Sequence, residues 1–403
     1  MWEKKWQLLL LVLLLLYTAF VVVHLSRHPE VFQWDFRTYY FAAKAHAAGL
    51  NPYDIQNLRK VSPVGIEPAQ DFLYQPVALY FFYPLGLLDF SEAYQIYLFL
   101  KIILVIYLFY LWRKWFLGRN NVAIMCLFII LAFNNAIYRD LAAGNISLFE
   151  QFFIWVALVL FMRRRLSLFC LSIVLAAIFK IVPILFLGLL FLLDNKKQAL
   201  TYFGLSVLGY AGIVGVSYLS SPKLFLSFLT VSQGALAESG VNNPSTLALI
   251  LSILNDFGNF IGFPLSPKIA MDIYLAVVTI ILIISRRALI ALKCMEDIEK
   301  EKLALLFICV VYALIVPRFK DYSFILLLAP SFFIIFKAEF MKMQHLIFII
   351  IIFSPYLTLP LVGAAVRELM LYYPLFIAYF VWYLYLRYIS LVSPCKLTPA
   401  SAP

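Results

Sequence analysis

The chain has 403 residues, of which 64% are hydrophobic and 13% charged, and its mean hydropathy is +0.93. A soluble domain carries about a quarter charged residues, and no soluble core buries this much apolar surface, so the composition points to an integral membrane protein. The net charge of +11 would suggest nucleic acid in a soluble protein. Here it reads as the cytoplasmic excess of Lys and Arg that orients membrane proteins, and no nucleic acid is expected as a partner.

The first apolar run, WQLLLLVLLLLYTAFVVVHL from Trp6 to Leu25, has the length that crosses a bilayer. It is long, lacks a small-residue cleavage site and is followed by more apolar runs, so it reads as a span and not as a signal peptide. Crossings are expected at about 7–25, 92–112, 122–138, 146–162, 166–179, 181–194, 199–218, 269–285, 302–316, 323–337, 345–362 and 369–387, that is about twelve, with both termini cytoplasmic. Two apolar pieces are too short to span: YQPVALYFFYPLGLL (Tyr74 to Leu88) and STLALILSIL (Ser245 to Leu254). They read as re-entrant, which is tolerated only where backbone is buried in protein or lines a wet cavity.

This layout places the basic clusters Lys4–Lys5, Arg113–Lys114, Arg163–Arg165, Lys196–Lys197 and Arg286–Arg287 on one side, which the positive-inside rule makes the cytoplasm. The stretch 166–194 is basic at both ends and so goes out and back. Its break is at Lys180 and Pro183, because proline starts a helix more readily than it continues one. Lys180 is thereby expected at the outer tip of a short hairpin. Residues 1–390 read as one transmembrane domain and 391–403 as a disordered cytoplasmic tail. The five cysteines show no pairing or ligand spacing and His28 and His46 are isolated, so neither a disulfide framework nor a metal site is expected.

Polar residues then gather on the outer side. The first outer loop, about 27–73, carries Asp35, Arg37, Lys44, Asp54, Arg59 and Lys60; PRFKDYS (Pro317 to Ser323) carries Arg318, Lys320, Asp321 and Tyr322; GVNNPSTL carries Asn242, Asn243 and Ser245. Cations at the outer ends of membrane helices are costly, and an anionic ligand at the interface is one reason to keep them. Plainer roles compete. Asp35 fits the N-cap of a helix FRTYYFAAKAHAA that Gly49 ends. Asp54 fits a turn or cap, Tyr39 and Tyr40 fit interfacial aromatics, Lys180 fits a snorkelling lysine, and Arg318 and Lys320 fit surface charges or partners of Asp321. Lys101 lies inside a span with no role assigned.

In order along the chain, WDFRTYYFAAKAHAAGLNPYD, YQPVALYFFYPLGLL, AAGNISLF, the Lys-x-x-Pro break KIVP, NNPST and PRFKDYS resemble glycosyltransferase family 87, of the GT-C superfamily of multi-pass glycosyltransferases. The resemblance implies an all-α, GT-C-type helical bundle. It also implies a polyprenyl-phosphate sugar donor presented at the extracytoplasmic face of the cell membrane, with Asp35 as catalytic base and neither metal nor nucleotide. The chemistry agrees with this. A lipid-phosphate sugar already carries its leaving group, so the site needs a base for the acceptor hydroxyl and cations for the departing phosphate. Direct attack inverts the anomeric centre. Arg318 and Lys320, with Lys180 or Arg37, are the candidate phosphate ligands; Tyr39, Tyr40, Asn145, Asn243 and Tyr322 are candidate substrate contacts. The expected activity is transfer of a hexose, mannose among the candidates, to a lipid-linked or polymeric glycan. The alternative is a transporter or flippase of polyprenyl-linked glycans, for which internal repeats would speak; none is evident.

Overall fold

The computed structural model describes residues 2–28, 31–68, 70–118, 121–234, 243–263, 266–293, 299–337, 344–353 and 370–393. Among these residues the regular structure is helical, with no strand. Six helices are long and apolar enough to cross a membrane, and the chain is an all-α, multi-pass membrane protein. It divides into two compact units, one formed by Met1–Leu111 and Tyr138–Leu236, the other by Trp112–Ile137 and Ala237–Pro403.

The first unit begins with α1 (Trp2–Arg27), then α2 (Trp34–Ala47), α3 (Ile55–Lys60), α4 (Pro76–Gly86) and α5 (Phe90–Leu111). It resumes with the last turns of α6 (Val122–Ala143) and continues through α7 (Ser147–Met162), α8 (Leu166–Phe179), a 3-10 helix Val182–Leu192, α9 (Lys196–Ser220) and α10 (Pro222–Gly234). Helix α4 has 11 residues, about 16 Å at the α-helical rise, half of what a bilayer needs. It packs against α2, α5, α8 and α9. That is the protein-lined setting a short apolar helix requires.

The second unit holds a π-helical turn Trp112–Leu117, most of α6, and α11 (Thr246–Ile261), α12 (Pro267–Lys293) and α13 (Glu299–Ile315). A 3-10 helix Asp321–Leu327 then leads into α14 (Leu328–Lys337), followed by α15 (Gln344–Ile352) and α16 (Tyr373–Val392). Helix α13 packs against α12, α14 and α16. It buries residues on every face, as a helix apolar all round must.

The span-length helices match the crossings expected at 7–25, 92–112, 122–138, 199–218, 269–285 and 369–387. The other expected crossings correspond to shorter pieces. Helix α7 has 16 residues, α8 has 14 and the 3-10 helix after it has 11, against about 20 needed for a straight α-helical crossing. The run 323–337 splits into a 3-10 turn and α14. The crossing expected at 345–362 begins in α15, but 354–369 lie outside the described residues, as does the tail from 394.

Helix α6 also departs from expectation. The crossing expected over 122–138 is interrupted by non-helical backbone at Ala132, Phe133, Asn134 and Asn135, and the helix carries on to Ala143. Phe133, Asn134 and Asn135 all take positive φ at the kink, a conformation asparagine tolerates better than most residues.

Candidate active site

Gln33 starts α2 in a left-handed conformation (φ 67°), which is strained for a residue with a Cβ. Three hydrogen bonds offset the strain: its main-chain N–H reaches Ala142 O at 2.7 Å, and its side-chain Nε2 reaches Leu141 O at 2.8 Å and Ala142 O at 3.3 Å. Asp35 is therefore not the helix cap; it lies inside the first turn, where the helix dipole favours a negative charge. Its carboxylate accepts from Gln70 Nε2 on Oδ1 and from Asn145 Nδ2 on Oδ2 at 2.6 Å, and the residue is 2% exposed. Helix α2 ends as expected. Gly49 has φ 72° and Leu50 N–H returns to Ala45 O at 2.8 Å, a Schellman-type end.

Asn145 belongs to the tight turn between α6 and α7. Gly144 in that turn has φ +67°, and an added Cβ would meet Gln33 Oε1 and sit 2.7 Å from Phe36 Cβ, so only glycine lets the turn lie this close to α2. The Asn145 amide has a defined sense. Oδ1 accepts from Ser147 N–H (2.9 Å) and Ser147 Oγ (2.8 Å), so Nδ2 faces Asp35 and Tyr39 Oη (3.0 Å). Tyr39 Oη in turn shares a hydrogen bond with Tyr74 Oη at 2.8 Å.

Lys180 ends α8 in extended conformation, with Pro183 opening the 3-10 helix that follows, as the Lys-x-x-Pro break requires. Its ammonium donates to Ser147 Oγ and pairs with Glu150 Oε2 at 2.7 Å. Asp35, Tyr39, Asn145, Ser147, Glu150 and Lys180 thus form one connected polar cluster in the first unit. Tyr40 and Arg37 make other bonds. Tyr40 Oη donates to Leu88 O at 2.7 Å, beyond the end of α4, and Arg37 Nη2 donates to Phe32 O at 2.9 Å. Both tyrosines are buried, so they are not the interfacial aromatics that sequence suggests. Asp54 caps α3 by accepting from Gln56 N–H at 2.9 Å. Asp71, next to Gln70, has its carboxyl raised above the ordinary value, first by burial and then by Asp54, with Arg59 opposing.

An ion pair adjoins this cluster through Asn145, whose N–H donates to Asp140 O. Lys101 Nζ is 2.6 Å from Asp140 Oδ1 and 2.5 Å from the Asp140 main-chain oxygen, and both side chains are 0% exposed.

The remaining candidates form a second arrangement, within the second unit. The irregular segment 317–320 is tied down by the loop before α11. Asn243 Oδ1 accepts Phe319 N–H at 2.9 Å, Ser245 Oγ donates to Pro317 O at 2.6 Å and Thr246 Oγ1 donates to Leu314 O at 2.8 Å. Arg318 and Lys320 flank the anchored Phe319 and are half-buried, while Asn243 and Tyr322 are buried. Asn242 lies outside the described residues.

A family model, Glycosyltransferase family 87, matches residues 72–317, more than half of the chain. The chain belongs to glycosyltransferase family 87. No curated protein and no solved structure matches it.

As a member of family 87 the protein is a membrane glycosyltransferase, which transfers a sugar from a donor to a glycan acceptor. The matched stretch contains Asn145, Lys180 and Asn243; Asp35, Arg37, Tyr39 and Tyr40 precede it and Arg318, Lys320 and Tyr322 follow it. Sequence reading did not reach Gln70, Tyr74, Asp140, Ser147 or Glu150, and it left Lys101 without a role. The signal available for three of them was charge inside an apolar helix: Lys101 in α5, Asp140 in α6 and Glu150 in α7. An ionisable group within a membrane helix is expensive enough to indicate function or a specific partner.

Proposed function

We propose that this family 87 enzyme moves a hexose, mannose among the candidates, from a polyprenyl phosphate to a lipid-linked or polymeric glycan at the extracytoplasmic face, with inversion. Asp35 is the general base. The acceptor hydroxyl oxygen attacks C1 of the donor sugar and its proton passes to Asp35. The C1–O bond breaks with its electron pair going to the phosphate, and polyprenyl phosphate leaves as the anion. Lys180 stabilises the developing phosphate charge. Arg37, Arg318 and Lys320 are further candidate phosphate ligands; Tyr39, Tyr40, Asn145, Asn243 and Tyr322 are candidate substrate contacts. The leaving group is already a phosphate ester, so this reaction needs neither a general acid nor a metal.

The observation that carries the reading is the way Asp35 is held. Both of its partners are neutral amides, from Gln70 and Asn145. Neither amide gives up its proton at neutral pH, and each carboxylate oxygen keeps a lone pair free. A buried carboxylate fixed in this way is oriented without being neutralised, which is what a general base requires.

The test is transfer from a radiolabelled polyprenyl-phosphate hexose to a lipid-linked acceptor by the purified protein in liposomes. Label in the glycan product, lost on Asp35→Asn with folding intact, supports the proposal. Movement of unaltered lipid between leaflets, with Asp35→Asn tolerated, would instead identify a flippase.

A further inference from the structure

We infer that the buried pair Lys101–Asp140 positions the carboxylate of Asp35 through the turn that carries Asn145. This rests on the reading of Asp35 as the base. Replacing a buried ion pair by well-packed apolar residues is often neutral or stabilising, so stability alone is a poor account of two charges with no exposure. What the pair does here is to grip main chain. Lys101 Nζ reaches the Asp140 carboxylate and also its main-chain oxygen, and that oxygen accepts the N–H of Asn145 at 3.2 Å. Tyr97, one helical turn before Lys101 on α5, donates from its hydroxyl to Asn145 O at 3.3 Å. The Lys101 ammonium lies 5.6 Å from the Tyr97 ring centroid. One face of α5 therefore holds both ends of the turn 140–145.

From the other side, α2 holds the middle of the same turn, where Gln33 bonds Leu141 O and Ala142 O. Helix α2 also carries Asp35. The turn is thus clamped between the helix that bears the base and α5, which bonds it through Tyr97 and Lys101. Asn145 Oδ1 is committed to Ser147, so a shift of the turn moves Nδ2 away from Asp35 and lets the carboxylate rotate. A misplacement of about 1 Å at a reacting group costs roughly a hundredfold in rate. Lys101 and Asp140 are accordingly positioning residues: Asp140 reaches Asp35 through Asn145, and Lys101 acts through Asp140.

The experiment is a double-mutant cycle read in kcat and donor KM with the full-length enzyme in detergent or liposomes. Asp140→Asn is expected to lower kcat about tenfold or more while donor KM stays within about threefold, since an orienting contact acts on the chemical step. Asn145→Ala is expected to lower kcat similarly. Adding Asp140→Asn to Asn145→Ala should cost less than about threefold more, because the first acts through the second. A second variant, Lys101→Met with Asp140→Leu, removes both charges without stranding either. It should unfold at close to the wild-type temperature and still lose kcat.

Wild-type kcat in that apolar double variant would overturn the inference. So would an Asp140→Asn effect of equal size with and without Asn145, or a donor KM that rises in place of the kcat loss. Failure of both charge variants to fold would overturn it too, since the pair would then be structural. Retained transfer by Asp35→Asn would instead sink the reading of the base itself, so the two failures are distinguishable.

Discussion

Gly144 sets how close the Asn145 turn lies to α2. Its φ of +67° and the crowding by Gln33 and Phe36 leave no room for a side chain. Gly144→Ala should therefore lower stability by about 1–3 kcal/mol through backbone strain and overpacking, seen as a lower unfolding temperature in detergent, with transfer impaired in the fraction that remains folded. An unchanged unfolding temperature would mean that the turn relaxes away from α2 at no cost. At this scale the sequence was partly legible. Asp35 and Lys180 stood out as charges at the ends of apolar runs, and Asn145 was reached through the resemblance carried by AAGNISLF. The way each is held was not legible, because the partners are distant along the chain: Asn145 is 110 residues from Asp35, and Asp140 is 39 from Lys101. Pattern within one sequence carries no information about which distant residues meet. The N-cap role that fits Asp35 locally fails for this reason. Gln33 takes the cap position by bonding the remote α6–α7 turn, which frees the carboxylate to bond sideways.

Helices and their breaks were more legible than their lengths. Apolar runs, the Lys-x-x-Pro break and the glycine at the end of α2 are local signals, and all three appear where expected. Span lengths were not readable, because an apolar run looks alike whether it folds as one crossing or as a 3-10 piece packed inside protein, as at Val182–Leu192. The kink of α6 at its paired asparagines rests on left-handed backbone, which an apolar run read as one crossing does not reveal. The docking of the loop before α11 onto segment 317–320 yields a prediction of its own. Asn243→Ala removes the acceptor for Phe319 N–H, leaving a buried donor unsatisfied at a cost of about 1–3 kcal/mol. If Arg318 and Lys320 serve the donor phosphate, loosening that segment should raise donor KM several-fold with a smaller change in kcat. Wild-type KM together with a lowered unfolding temperature would limit Asn243 to a structural role.

At the scale of the whole molecule, the composition alone indicated a polytopic membrane protein, and the six span-length helices bear that out. Sidedness rests on the basic clusters and is open to direct measurement. Val64 in the first loop is 97% exposed, and Lys197, in the first turn of α9 on the side assigned to the cytoplasm, is also exposed. With the five native cysteines replaced, Val64→Cys should react with a membrane-impermeant maleimide on intact cells and Lys197→Cys only after permeabilisation. The reverse pattern would put the Asp35 cluster on the cytoplasmic side and remove an extracytoplasmic donor from the account. The central claim is that Asp35 accepts the acceptor hydroxyl's proton as the sugar leaves its phosphate. The most direct test is a single-turnover measurement with radiolabelled polyprenyl-phosphate hexose bound to the folded enzyme. The account predicts that Asp35→Asn binds donor as the wild type does and transfers sugar about 10²–10⁴-fold more slowly, the range of a lost general base; transfer at the wild-type rate would contradict it.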